Sequence, residues 1–285
     1  MNHVSAFCMQ SVYLTTHHRP QIILTLPSYK LTMSRICILL GLFMLLSFTV
    51  NDTVSKRFAA PEGYKRVRAA SGSFGAWLQT QPLKPRGTKT LTYKGSIART
   101  DDNTAAVIDM SIGQRDLQQC ADAVIRLRAE YLFARKDYKE IHFNFTSGFN
   151  CDFIHYADGY RYQQNETWKK TAAKDYSYAS FIRYLDLVFS YAGTLSLEKE
   201  LKKVDNPATI QIGDVFIKGG SPGHCFIVMN LSINRAGQRK FMLAQSFIPA
   251  QNIQLLQYGS PWFSLDKPVN LPYGEIVNAG NLRRF

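Results

Sequence analysis

The sequence predicts an α+β domain in which helices pack on an antiparallel sheet. Two amphipathic stretches, around residues 117–131 and 179–191, carry apolar side chains at helical spacing. Three apolar runs follow, Asp214–Ile217, Cys225–Ile233 and Lys240–Ser246. Between the last two, NRAG (Asn234 to Gly237) has the composition of a hairpin turn. Helices followed by neighbouring strands, rather than alternating with them, give the α+β class. The chain has 285 residues, 46% of them hydrophobic, enough for one sizeable core, which the sequence places over 58–285.

Taken in order, Ser73 to Leu78 predicts a short amphipathic helix, and Leu91–Tyr93 and Ala105–Ile112 predict strands. Asp116 has the position of a helix N-cap, with Gln119 completing a capping box and the helix running to about Arg135. That places Cys120 in the first turn, at about the fourth helical position. Ile141–Phe145 alternates as a strand, and Asp152–Tyr162 is aromatic-rich and undecided. Ala179–Tyr191 and Leu195–Lys203 follow as helices, and a Pro/Gly-rich tail closes the chain.

Residues 1–57 are set apart from the fold. Met33-Ser-Arg35 precedes Ile36–Val50, fifteen residues without a charge, which is a signal-peptide pattern and short of a membrane span. The expectation is an exported protein, periplasmic or held to the membrane by this segment, with translation starting at Met33 and residues 1–32 a spurious preface. Net charge is +13, and residues 1–57 supply +4 of it (Arg19, Lys30, Arg35, Lys56 and Arg57 against Asp52). The basic remainder is compatible with anionic lipid or cell-wall polymer and equally with a scattered solvated face, and the expected partner is a small-molecule, peptide or cell-wall substrate. No Lys/Arg block interleaves with aromatics, so nucleic acid is not an expected partner. Cysteines at 120, 151 and 225 lack C-x-x-C spacing, and His142 and His155 lack metal-ligand spacing, so neither a metal nor any other cofactor is expected.

The chemistry concentrates in Gly213–Asn230, read as strand, glycine-rich turn, strand, with His224 at the mouth of the second strand. A base there has a fixed backbone and an approachable ring. Cys120 at a helix start would have its thiolate favoured by the helix dipole. If the hairpin centres between Arg235 and Ala236, facing residues sum to 471. Gln245 is then a diagonal neighbour of His224 and the candidate to orient its ring, ahead of Asp214 and Asn230. The plainer alternatives stand beside this. Leu117, Cys120, Val124, Leu127 and Tyr131 share one apolar face, on which a cysteine is a small hydrophobe. Strand parity makes Cys225 a core residue facing away from His224. Asp122 and Arg126 read as a helix-surface pair.

Gly213-Asp-Val-Phe216 and Gly223-His-Cys-Phe-Ile-Val228, after a helix-borne cysteine, resemble the NlpC-type branch of papain-like cell-wall peptidases and amidases. The sequence Gln119-Cys-Ala-Asp122 departs from that branch's D-C-[SG] pattern. A broader resemblance runs from about Pro61 to Phe285, to an exported bacterial family known as domain of unknown function 4846. It is carried by Asp116–Val124, Arg126–Tyr131, His142–Phe145, Tyr191–Leu197, Gly219–His224 and Leu243–Ser246. That resemblance implies no activity, but it places Cys120, His224, Gln245 and His142 inside shared motifs. The resulting expectation is a thiol hydrolase using Cys120, His224 and Gln245. The alternative is a non-catalytic envelope binding protein using the same cleft, with Trp77, Trp168 and Trp262 as stacking surfaces.

Overall fold

The computed structural model describes residues 52–285. The proposed Met33 start and the Ile36–Val50 segment lie outside the described residues. In chain order the elements are α1 (Val54–Arg57), β1 (Tyr64–Arg66), α2 (Phe74–Gln79), β2 (Thr104–Val107), α3 (Cys120–Ala134), β3 (His142–Asn144) and β4 (Asn150–Asp152). Next come α4 (Phe153–Ala157), β5 (Tyr160–Gln163), β6 (Thr167–Lys170), α5 (Tyr178–Tyr191), α6 (Thr194–Glu200) and β7 (Lys202–Lys203). The chain ends with β8 (Val215–Lys218), β9 (His224–Asn234), β10 (Arg239–Gln245), β11 (Gln254–Leu256) and β12 (Leu282–Arg284).

The α+β class holds. Eight strands form one sheet, ordered β2-β11-β10-β9-β8-β12-β7, with β1 paired to the far end of β9. Every pairing in it is antiparallel. β9 is the central strand and is apolar over most of its length because both of its faces are covered. Cys225, Ile227 and Met229 point to the helix side, where Val124, Leu127, Phe181, Leu185 and Val188 pack. Phe226, Val228 and Leu231 point to the other side, under Phe263, Ile276, Val277 and Leu282 of the C-terminal segment.

Several boundaries differ from the sequence reading. The fold begins before residue 58: Val54 is fully buried, Thr53 bridges Pro82, and Arg57 pairs with Asp52 at 2.7 Å. Leu91–Tyr93 makes only isolated bridges, and β2 is half the length expected. The Pro/Gly-rich tail contributes β11 and β12 to the sheet. α3 starts at Cys120, not near Asp116, and Asp122 Oδ2 accepts from the Gln119 N–H at 3.0 Å to cap it. Asp116 Oδ1 serves the tertiary fold instead, accepting from the Ala250 N–H at 2.7 Å.

Candidate active site

Three elements deliver the three expected side chains to one place: the start of α3 (Cys120), the start of β9 (His224) and the end of β10 (Gln245). The glycine-rich loop before His224 sits tightly on α6. A Cβ on Gly223 would overlap Thr194 Oγ1 and the Gly220 carbonyl, and the Gly219 N–H donates to Glu198 Oε2 at 2.9 Å. His224 therefore enters β9 from a fixed direction. On the other side, Ser246 Oγ donates to the Gln118 carbonyl, at 2.9 Å. The adjacent residues Gln245 and Ser246 thus hold the imidazole and the loop leading to Cys120.

His224 Nε2 lies 2.7 Å from Gln245 Oε1. An amide oxygen only accepts, so Nε2 carries the proton and Nδ1 is the nitrogen left for the thiol. The ring is held edge-on by Phe226 (4.7 Å between centroids) and stacked by Tyr273 (4.9 Å, 27° between planes). The other two orienter candidates are elsewhere. Asp214 binds Arg284, and Asn230 Oδ1 accepts from Gln79 Nε2 at 2.9 Å.

The Cys120 thiol is held down to about 5, first by hydrogen bonding from the neighbouring Cys225 thiol, against the opposing effect of burial. A hydrogen bond and charge from His224 lower it further, and the Ala121 N–H adds a smaller part. Cys225 Sγ also lies 3.3 Å from the Cys120 carbonyl oxygen, so its S–H faces two acceptors of one residue. Its own proton is correspondingly hard to remove, and Cys225 is pushed well above the ordinary thiol range. The sequence reading had Cys225 as core packing. It is fully buried, but it is packed against the candidate nucleophile. The signal for this was one-dimensional and faint: two cysteines, one at a helix start and one beside the histidine.

Access also differs from expectation. The strand-mouth position implies an approachable ring, yet His224 is only 2% exposed and Cys120 8%. Tyr273 and Phe247 cover the ring, from segments whose packing no sequence period announces. Asp122 and Arg126 are not a surface pair. Both are buried, and Arg126 bonds Glu130 at 2.7 Å. Burial pushes the Asp122 carboxyl well above its usual range, and its Oδ1 has no partner among the described residues. Cys151 is buried on β4, which pushes its thiol up, and all three described cysteines are free.

His142 and His155 sit on the peripheral hairpin β3–β4 and on α4, each beside a carboxylate: Glu200 at 3.5 Å and Asp152 at 2.6 Å. Among the described residues no group of three His, Cys, Asp or Glu side chains converges to hold a metal ion. Trp77 packs on Phe74 and Tyr131, Trp168 stacks on His155, and Trp262 Nε1 donates to the Ala59 carbonyl.

Fold and site together describe an α+β domain with a buried Cys–His–Gln cluster. The chain belongs to the family described as domain of unknown function (4846), which matches residues 54–278. No curated protein and no solved structure matches it.

Proposed function

We propose that this chain is an exported thiol hydrolase of papain-like design, cleaving an amide or ester through a Cys120 acyl-enzyme. The observation that carries the reading is the pairing of a depressed thiol with an imidazole whose far nitrogen is fixed 2.7 Å from Gln245 Oε1. The Cys120 thiolate attacks the carbonyl carbon and forms a C–S bond. Charge moves to the carbonyl oxygen, which the Cys120 N–H, in the first turn of α3 and without an intrahelical acceptor, stabilises. His224 gives the proton on Nδ1 to the leaving nitrogen or oxygen as that bond breaks. Water then attacks the thioester, passing one proton back to Nδ1; the C–S bond breaks, restoring the thiolate, and the product leaves as the carboxylic acid, which ionises to solvent. Gln245 does no proton transfer and holds the ring in the useful tautomer. The basic exterior fits an anionic cell-envelope substrate.

The test is alkylation with iodoacetamide at about pH 6, read by peptide mass, followed by hydrolysis of activated esters by wild type and Cys120→Ala. Selective labelling of Cys120 with ester turnover lost in the variant is expected. An unlabelled Cys120 at that pH sinks the proposal. The cover of Tyr273 and Phe247 over His224 favours one second reading, a binding protein in which the buried cluster is structural. That reading expects no turnover and no labelling.

A further inference from the structure

The α3 helix borders a cavity of about 570 Å³, away from the thiol. Arg128, which lines it, follows Cys120 by eight residues, or roughly 12 Å of helix. None of Cys120, His224, Gln245 or Cys225 lines this cavity. Four arginines do (Arg68, Arg128, Arg239 and Arg284), against a single acidic side chain, Asp214. That carboxylate is already matched: Arg284 donates to its two oxygens at 2.6 and 2.7 Å, and the Gln211 N–H donates to it at 2.8 Å. Among the described residues, Arg68, Arg128 and Arg239 have no ion-pair partner.

Arg128 is the informative member. Its guanidinium lies 5.2, 5.5 and 5.1 Å from the ring centres of Phe74, Tyr131 and Phe285. Aromatic packing of this kind fixes the plane and leaves the N–H edge to meet an acceptor. Burial opposes the charge and lowers its proton affinity, and the more weakly acting Tyr131, Glu140 and Asp137 offset this only in part. A half-buried cation held rigid, with two more cations on the same concave wall, is an arrangement that an anion stabilises. Val67, Ile212 and Leu231 add apolar surface to the same lining. The volume falls in the range, about 300–1,000 Å³, of small-molecule sites.

We propose that this cavity binds a small organic oxyanion, a phosphate- or carboxylate-bearing molecule. Arg128 meets the oxyanion edge-on, Arg68 and Arg239 close around the charge, and the organic body lies on the apolar wall. This site is independent of the hydrolase reading.

Calorimetric titration of the full chain at fixed physiological salt tests it, with glycerol 3-phosphate, citrate and inorganic phosphate as probes. Glycerol 3-phosphate and citrate separate the phosphate from the carboxylate form of the ligand. Saturable one-to-one binding of at least one organic probe is expected, about tenfold or more tighter than inorganic phosphate. Arg128→Gln and, separately, Arg239→Gln should weaken it about tenfold or more. Arg239 is half-exposed, so its variant keeps the test decisive should Arg128→Gln fail to fold by circular dichroism. Cys120→Ala should bind unchanged. The proposal is overturned by no saturable binding of either organic probe at millimolar concentration, or by equal binding of inorganic phosphate. Undiminished affinity in the folded arginine variants, or loss of binding in Cys120→Ala, also overturns it.

Discussion

Cys225 shows how much a single side chain decides here. A strand residue next to His224 must face the opposite side of the sheet, and it does, onto the start of α3. Its S–H is the largest influence lowering the Cys120 thiol, ahead of the imidazole. Cys225→Ala should therefore move the Cys120 alkylation midpoint upward from about 5 by at least about one pH unit. Cys225→Ser, which keeps a donor, should recover part of the shift. An unmoved midpoint in the alanine variant would show that the helix start and His224 suffice. The same depression has a stability consequence. Between the ordinary thiol value of 9.0 and about 5, folded Cys120 has lost its proton while the unfolded chain keeps it. Stability from this group is thus complete above the ordinary value, falls as pH falls across the window, and is gone below about 5. The gap in urea midpoint between wild type and Cys120→Ala should widen from pH 5.5 to 8.5, and a constant gap would refute the depressed thiol. Gln245→Ala, by freeing the ring, should lower ester turnover by about tenfold or more, with Gln245→Glu retaining more. Equal turnover in Gln245→Ala and wild type would remove Gln245 from the site.

At the level of elements, the hairpin placed His224 beside Gln245 through two offsets that cancel. The turn is one residue longer than a centre between Arg235 and Ala236 implies. Gly237, at φ 81°, donates to the Asn234 carbonyl, and Arg239 faces Ile233, so facing residues first sum to 472. A bulge at Met229 then restores 471, with Leu243 facing Val228 and Ala244 facing Ile227. Without the bulge, Gln245 and His224 would lie on opposite faces of the sheet. The sequence marked both strands and the turn, but not the bulge, because Val-Met-Asn carries no apolar alternation to break. The α3 boundary was misread for a similar reason. Asp116-x-x-Gln119 and Gln119-x-x-Asp122 are both plausible boxes, and only the contact of Asp116 with Ala250 settles which one caps. The glycine-rich loop was legible as a turn, but its role as a wedge against α6 was not. Gly223→Ala should cost about 1–3 kcal/mol in urea denaturation, since its Cβ meets backbone carbonyls that cannot turn aside. A neutral substitution would mean the loop yields, and His224 with it.

Over the whole molecule, the sequence showed the helix side of the sheet and hid the other. Helices announce themselves by a 3.6-residue period over many turns, as in α5. β11 and β12 are three residues each, too short for any period, so the tail that covers the second face read as loop. That tail supplies Tyr273 over the imidazole, and its end inserts β12 between β8 and β7. Arg284 on β12 donates to both oxygens of Asp214, the residue before β8, at 2.6 and 2.7 Å. Asp214 is almost fully buried, whereas Arg284 is about one-third exposed. Removing the cation strands a buried carboxylate, which for a fully buried pair costs about 3–5 kcal/mol. Partial exposure of the arginine lets water screen what remains, so Arg284→Met should cost about 2–3 kcal/mol. The carboxylate, not the lost packing, is the source of that cost. Asp214→Asn combined with Arg284→Met should therefore be more stable than Arg284→Met alone in urea denaturation at pH 7. If the double variant is no more stable than the single one, the tail is held by its apolar contacts with Phe216 and Phe226, and the ion pair contributes nothing to fastening β12 to the sheet.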